Sequence, residues 1–243
     1  MLLRYALPKM QRLWLREETK FEYWLPIECA VLRARVKLGE LSEESYSAIR
    51  YNAKVDVRRI AELEKRYDHD MIAFIVSAQE SLVASGVGQY KEEFHKGLTS
   101  YDIEDPALVL MLRKAVALVG DELSDLGDAL RNKAYEHKWT IMMARTHGQF
   151  AEPTTFGHLL LVFAKALRRS LDRISSVLHK DLKEAKISGA VGSYAGMNPY
   201  IEEKALEEFD LVPAKCETQI LQRDRHANLL SAVAIAASTI EQM

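Results

Sequence analysis

Apolar positions recur at helical spacing along nearly the whole 243-residue chain. The first periodic stretch runs from Glu17 to Leu38 and contains Pro26. Proline lacks an amide donor and crowds the preceding turn, so a kink or a restart is expected there. Ser42 is placed to cap a short helix that has Glu43 and Glu44 in its first turn and Ser45 at the third helical position. Val55–Tyr67 and Asp70–Ala84 form two further periodic segments, separated by Asp68-His69. Asp105-Pro106 reads as an N-cap followed by a first-turn proline, opening a helix expected to reach about His137, roughly 50 Å long. Its seam is Leu112, Val116, Val119, Leu123, Leu126 and Leu130, stepping by four and three residues. Glu152-Pro153-Thr154 reads as the entrance to a second long helix, from Thr154 to about Lys186, with Leu160, Phe163, Leu167, Leu171, Ile174 and Leu178 along its seam. A third begins near Arg225 and is still periodic at Met243.

Strands are scarce in this reading, and the glycines of Ile187–Tyr194 mark a turn. Long seams of this kind need partners, which points to an all-α fold built on a multi-helix bundle. The last helix carries neither glycine nor a basic final turn as a stop signal, and these residues are therefore expected to be part of a longer protein.

Composition narrows the function classes. Hydrophobic residues make up 48% and charged residues 28%, as in soluble globular proteins, and the formal net charge of −2 gives no sign of general nucleic-acid affinity. Cys29 and Cys216 are isolated, which suits a reduced cytoplasmic compartment and gives no metal-ligand spacing. Arg4 and Pro8 interrupt any signal-peptide core, and no apolar run is long enough to span a bilayer.

Candidate chemistry falls at the breaks between helices. His147 lies in Arg145-Thr-His-Gly-Gln-Phe-Ala-Glu-Pro-Thr-Thr-Phe-Gly157, flanked by the hydrogen-bonding side chains of Thr146 and Gln149. Imidazole is the side chain best suited to proton transfer near neutral pH. His69 and His95 lie at two other breaks, whereas His137, His158, His179 and His226 sit in or beside helical stretches and read as surface or structural residues. The hydroxyls and amides of Gly97-Leu-Thr-Ser100, leading into Asp102, suit a carboxylate or phosphate, although an ordinary capped turn explains them as well. Ser188-Gly-Ala-Val-Gly192 has the look of an anion-binding loop but lacks the Gly-Lys-Ser/Thr ending of a P-loop. Arg223, Asp224 and Arg225 fit either a site or a solvated face.

At these residues the chain resembles the adenylosuccinate lyases of the aspartase/fumarase superfamily. The matching segments are Arg4-Tyr5, His69-Asp70 with Ala73-Phe74, and His95 with Gly97-Leu-Thr-Ser100 and Asp102. They continue through Arg145-Thr-His-Gly-Gln with Ala151–Gly157, Ile187–Gly192, Tyr194-Ala195, Thr218-Gln219 and Arg223-Asp-Arg-His-Ala227. The block around His147 and the Arg-Asp-Arg-His block are specific to this lyase within the superfamily.

The resemblance implies a helical N-terminal domain over residues 1–98 and a C-terminally incomplete long-helix bundle domain over residues 99–243. It also implies a homotetramer with shared active sites and a purine nucleotide substrate, while the composition and spacing read above lead to the expectation of a cytoplasmic protein with no cofactor, metal, nucleic acid or membrane partner. The implied reaction is β-elimination of fumarate, from adenylosuccinate to give AMP and from the succinyl-carboxamide ribotide of purine biosynthesis. By the same resemblance His147 is the general acid, His69 its partner in orienting substrate, and His95 a phosphate contact. Thr99, Ser100, Thr146 and Gln219 bind substrate, with Arg4 and Tyr5 at the nucleotide end.

The sequence departs from the family in several places. The family's base is a serine on a Gly- and Ser-rich loop followed by Met-Pro-x-Lys-x-Asn-Pro, and the 243 residues contain no such segment. By themselves they are therefore expected to turn over little. Asp68 stands where a basic residue is frequent, Tyr101 where a small one is usual, and Pro106 where Thr is common. The competing readings are another fumarate-releasing lyase of the superfamily, or a non-catalytic helical assembly protein of the same fold.

Overall fold

The structure, a computed structural model, describes residues 8–243. Its elements are α1 (Pro8–Trp14), α2 (Glu17–Lys37), α3 (Glu43–Asn52), α4 (Val57–Tyr67), α5 (Asp70–Ala84), α6 (Tyr101–Glu136), β1 (Ile141–Thr146), β2 (Gln149–Thr155), α7 (Phe156–Lys180), β3 (Glu184–Ala185), α8 (Pro199–Glu207), β4 (Val212–Pro213) and α9 (Asp224–Glu241). The fold is all-α in character, as the periodicity implies. The chain forms two compact units: Met1–Arg113 joined with Leu182–Gln222, and Lys114–Asp181 joined with Arg223–Met243.

Side-chain caps start three helices of the first unit, α3, α4 and α8. Ser42 Oγ accepts from the Ser45 amide at 3.0 Å, and Asp56 Oδ1 accepts from the amides of Arg58 and Arg59 at 3.0 and 3.1 Å. Asp68 closes α4 in the left-handed conformation, at φ 50°. Asn198 Oδ1 accepts from the Tyr200 amide at 3.0 Å with Pro199 in the first turn, a helix start that the periodicity does not mark. α2 runs unbroken through Pro26, so no restart occurs there.

In this unit α2 packs against α3 and α8, and α4 packs against α5. Phe21, Trp24, Phe74 and Phe94 form an aromatic cluster at its centre. Phe21 stacks on Phe74 at 5.8 Å between ring centroids, Trp24 meets Phe74 edge-on at 5.4 Å, and Phe94 tilts against Phe74 at 5.8 Å. Such pairs each add about 0.5–1.5 kcal/mol beyond the area they bury. β3 and β4 make a short parallel pair, Glu184 opposite Val212 and Ala185 opposite Pro213.

In the second unit α7 packs against α9. Leu167, Ser170, Ile174 and Val177 are the buried side of α7, together with Gly157 at its start; Leu229, Ala232 and Ala236 are the buried side of α9. A β-carbon at Gly157 would lie 2.3 Å from the Ala134 carbonyl oxygen, so only glycine lets α7 start this close to the end of α6. Leu159, Leu161 and Val162 on α7, and Leu230, Ile235 and Ile240 on α9, are left exposed.

Three boundaries differ from the sequence expectation. α6 starts at Tyr101 rather than at Asp105, so Pro106 lies inside the helix and Asp105 is not its cap. The Thr99 and Ser100 carbonyls accept the first backbone bonds of the helix, and the Asp102 carboxylate reaches back to the Thr99 amide. The stretch read as the entrance to α7 is instead strand β2, with Pro153 opposite Met143; Thr155 is the cap, its Oγ accepting from the His158 amide at 3.1 Å. α7 ends at Lys180, and a 3₁₀ turn over Asp181–Lys183 follows it.

Candidate active site

Two carboxylates on the first turns of α6 organise one cluster of loops in the first unit. Asp102 is fully buried, and its Oδ1 accepts from Lys186 Nζ at 2.6 Å, from the Ser188 amide at 3.0 Å and from the Gly189 amide at 3.2 Å. Its Oδ2 accepts from the Thr99 amide at 2.9 Å. The anion held by the amides of the Ser188–Gly192 loop is therefore the chain's own carboxylate, and the loop's resemblance to an external anion site has this internal cause. Asp105 Oδ2 accepts from the Leu221 amide at 2.6 Å, and Gln219 Nε2 donates to Thr99 Oγ1 at 3.1 Å. Gly192, at φ 75°, passes so near Glu217 that a β-carbon would meet its carbonyl oxygen at 2.0 Å. Thr99, Gln219 and the Ser188–Gly192 loop are thus held together, with Ser100 next to Thr99 at the start of α6.

Behind them, Glu202 Oε1 accepts from the Ile187 amide at 2.6 Å, and the Tyr194 hydroxyl donates to Glu202 Oε2. Burial pushes the Glu202 carboxyl above its ordinary range. Burial, and then the bond to Glu202, pushes the Tyr194 phenol well above its own.

His69 stands just ahead of α5 with its side chain 44% exposed, its Nδ1 3.8 Å from Asp70 Oδ1. Asp70 in turn takes a hydrogen bond from Lys20 Nζ of α2 at 3.0 Å. Glu104, on the first turn of α6, lies in the field of the same group. Its carboxyl is pushed above its ordinary value of 4.5, by burial first and then by the charges of Asp70 and Asp105, with Lys20 and His69 pulling it down. His69 and the start of α6 therefore share one charged neighbourhood.

The raised Glu104 carboxyl has a consequence for stability. The folded chain holds this proton more tightly than the unfolded chain, so stability falls as pH rises from 4.5 through the folded value, and stays lowered above it. Glu104→Gln is expected to raise the melting temperature at pH 7, by on the order of 1–2 °C because solvent screens its open side. The gain should vanish below pH 4.5, where both states are protonated. Melting curves of the two proteins between pH 4 and 8 check it; an equal gain at every pH would point to packing instead.

His95 follows a 3₁₀ turn over Gly88–Glu93 and takes the left-handed conformation, at φ 60°. Phe94 beside it is buried in the aromatic cluster. The His95 Nδ1 lies 2.5 Å from Oε1 of Glu28, a wholly buried carboxylate in the middle of α2. Lys20 and Glu28 are eight residues apart on α2, about 12 Å along its axis, so this one helix supports the surroundings of both histidines.

His147 and Thr146 belong to the second unit. β1 and β2 pair antiparallel with Thr146 opposite Gln149, which leaves His147-Gly148 as a two-residue turn. Their φ values, 52° and 74°, are those of a type I′ turn, the connection whose twist matches a hairpin. His147 is exposed at the tip, with Arg145 over the Phe150 ring at 4.8 Å. Arg4 and Tyr5 lie outside the described residues. Among the described residues no group of three or more His, Cys, Asp or Glu is placed to hold a metal ion, and no helix is long and apolar enough to cross a membrane.

Sequence reasoning missed Glu28, Lys186 and Glu202. Glu28 did carry a signal: it is the one charged residue between Trp24 and Leu32, within an otherwise apolar helical run. A carboxylate in such a place is buried and needs a partner.

Known proteins resemble this chain along its whole length. A family model described as lyase matches residues 8–243. The adenylosuccinate lyase of Bacillus subtilis is 39% identical over 242 residues, covering 100% of this chain and 54% of that protein. The adenylosuccinate lyase of Aquifex aeolicus is 39% identical over 245 residues, again covering 100% and 54%. The chain spans about half the length of these relatives. Among solved structures, a fumarate lyase from Mesorhizobium sp. superposes with a TM-score of 0.88 at 23% identity, over 98% of this chain and 56% of that one. A 3-carboxy-cis,cis-muconate lactonizing enzyme from Pseudomonas putida gives 0.87 at 26% identity, over 98% and 55%.

Proposed function

Because the chain belongs to the lyase family whose model spans residues 8–243, we propose that it serves an adenylosuccinate lyase activity. The observation that carries this reading is the 39% identity to adenylosuccinate lyases sustained over the whole chain. The hydrogen bond that ties Gln219 to Thr99, 120 positions away in sequence, supports it.

The reaction is a β-elimination. A base removes the proton from the succinyl carbon beside a carboxylate, the electron pair forms the double bond of fumarate, and the carbon–nitrogen bond breaks. The departing nitrogen takes a proton from a general acid, the role of His147 in this reading. His69 orients the substrate, and His95 faces the phosphate. Thr99, Ser100, Thr146 and Gln219 supply hydrogen bonds to the substrate, with Arg4 and Tyr5 at the nucleotide end. Donors fixed before the reaction stabilise the charge that develops on the substrate carboxylate.

The same reading includes cleavage of the succinyl-carboxamide ribotide, a place in purine biosynthesis, a cytoplasmic location and no cofactor. It also includes the division into domains 1–98 and 99–243, and a homotetramer with shared active sites. Support for assembly comes from Leu159, Leu161 and Val162 of α7 and Leu230, Ile235 and Ile240 of α9, apolar side chains left exposed.

The test follows adenylosuccinate by its ultraviolet absorbance and measures fumarate and AMP in equal amounts. It is made on the 243 residues and on the protein extended through a base loop. Cleavage is expected in the extended protein and little in the 243 residues alone. An extended protein that folds, assembles and leaves adenylosuccinate untouched would replace this reading with another lyase or a non-catalytic assembly protein.

A further inference from the structure

We propose that Glu28 is the positioning residue of the His95 imidazole, fixing which ring nitrogen is offered to substrate. The part of this proposal that concerns substrate rests on the reading of His95 as a phosphate contact. The part that concerns the ring rests on the geometry of the first unit alone.

Glu28 sits in the middle of α2 with no exposed surface. Its Oε1 lies 2.5 Å from His95 Nδ1, while its Oε2 is buried without a hydrogen-bond partner among the described residues. A buried carboxylate with one oxygen unsatisfied is disfavoured as a packing element, since an apolar side chain of similar volume fills the same space without that desolvation. Its feature that stability does not explain is the grip on His95.

The turn carrying His95 is fixed on both sides. Phe94 is buried against Phe74. Arg35 donates to the Glu93 carbonyl at 3.3 Å and to the Glu93 carboxylate at 2.6 Å, and Lys96 donates to the same carboxylate at 2.9 Å. The left-handed backbone at His95, costly for a residue with a β-carbon, aims the side chain back at α2.

The chemical consequence follows from the partner. An ionised Glu28 only accepts, so with the carboxylate in that form Nδ1 carries the proton. A neutral His95 is then the Nδ1–H tautomer with its lone pair on Nε2, and a protonated His95 offers Nε2–H. In either state Nε2 is the atom left to meet the substrate. The carboxylate orients the ring, as outer partners orient metal-bound histidines, and partly neutralises its charge.

The test begins without substrate. The 243-residue chain is labelled with ¹⁵N at histidine, and the His95 resonances are identified by their loss in His95→Gln. Imidazole ¹⁵N shifts at a pH where the ring is neutral are expected to show the Nδ1–H tautomer in the wild type, and a mixture or the Nε2–H form in Glu28→Gln. In the lyase-active protein, Glu28→Gln is expected to raise KM for adenylosuccinate about tenfold, with kcat within about threefold.

An Nε2–H tautomer in the wild type overturns the proposal, whether or not the variant folds. So does a Glu28→Gln protein that folds and keeps the wild-type tautomer. A wild-type protein inactive on adenylosuccinate sinks the functional reading and leaves the tautomer result to decide the role of Glu28.

Discussion

Asp102→Ala is expected to destabilise the first unit by about 3–5 kcal/mol, the range for breaking a buried ion pair from one side. Both partners are out of solvent: the Asp102 side chain is 0% exposed and that of Lys186 is 1% exposed. Removing the carboxylate leaves the ammonium buried, with the Gly189 carbonyl at 3.2 Å as its remaining acceptor. It also takes the acceptor from the amides of Thr99, Ser188 and Gly189, each of which then carries its own desolvation cost. Urea unfolding, followed by a probe in the first unit, measures the loss. The double replacement Asp102→Ala with Lys186→Met should recover part of it, because the stranded charge is gone. A loss below about 1 kcal/mol would show that water reaches the pair.

In the protein extended through a base loop, the general-acid role proposed for His147 predicts that His147→Ala lowers kcat for adenylosuccinate by about 100- to 10,000-fold, with a much smaller change in KM. The hairpin makes this a clean experiment. The His147 side chain is exposed and has no hydrogen bond or ion pair among the described residues, so little packing is lost. The cost to folding is confined to the left-handed position of a residue with a β-carbon, which histidine already bears. His147→Gln, which keeps hydrogen-bonding atoms but has no titratable proton, should be as slow. Steady-state kinetics with the melting temperature measured in parallel separates chemistry from folding. A loss below about tenfold would move the acid role to another residue, with His69 the first to try.

The helical character and the histidines at breaks are legible in the sequence because both are local. Ser42 and the interval Asp68-His69 state their roles within a few residues, and the structure reads them as the sequence does. Pro106 misleads. A proline in a first turn is a strong local signal, but the Asp102 and Asp105 carboxylates are engaged by the Lys186–Gly189 stretch and by Leu221, and the helix begins early enough to carry both. That arrangement depends on a partner 84 positions away, which no window of sequence contains.

The hairpin escapes for a different reason. His147-Gly148 is a two-residue turn between two short runs, but Pro153 and Thr154 suggest a helix start more strongly than weakly alternating strands suggest pairing. Pro153 is tolerated because a two-stranded ribbon consists of edges. Lys186 and Glu202 are invisible in the sequence since their burial is decided by the loop and helix that close over them.

The first unit is assembled from two separated stretches of chain, and α8 supplies one wall of the core built on α2. On a ribosome that wall arrives late. Once Arg113 has been added, the remainder of the unit takes roughly 5–20 s to emerge at 5–20 residues per second. For that interval the α2 residues that α8 will cover face water, along with whatever holdase is at hand. Nascent chains stalled before Pro199 should accordingly be captured and cleaved far more readily than chains stalled beyond Gln222.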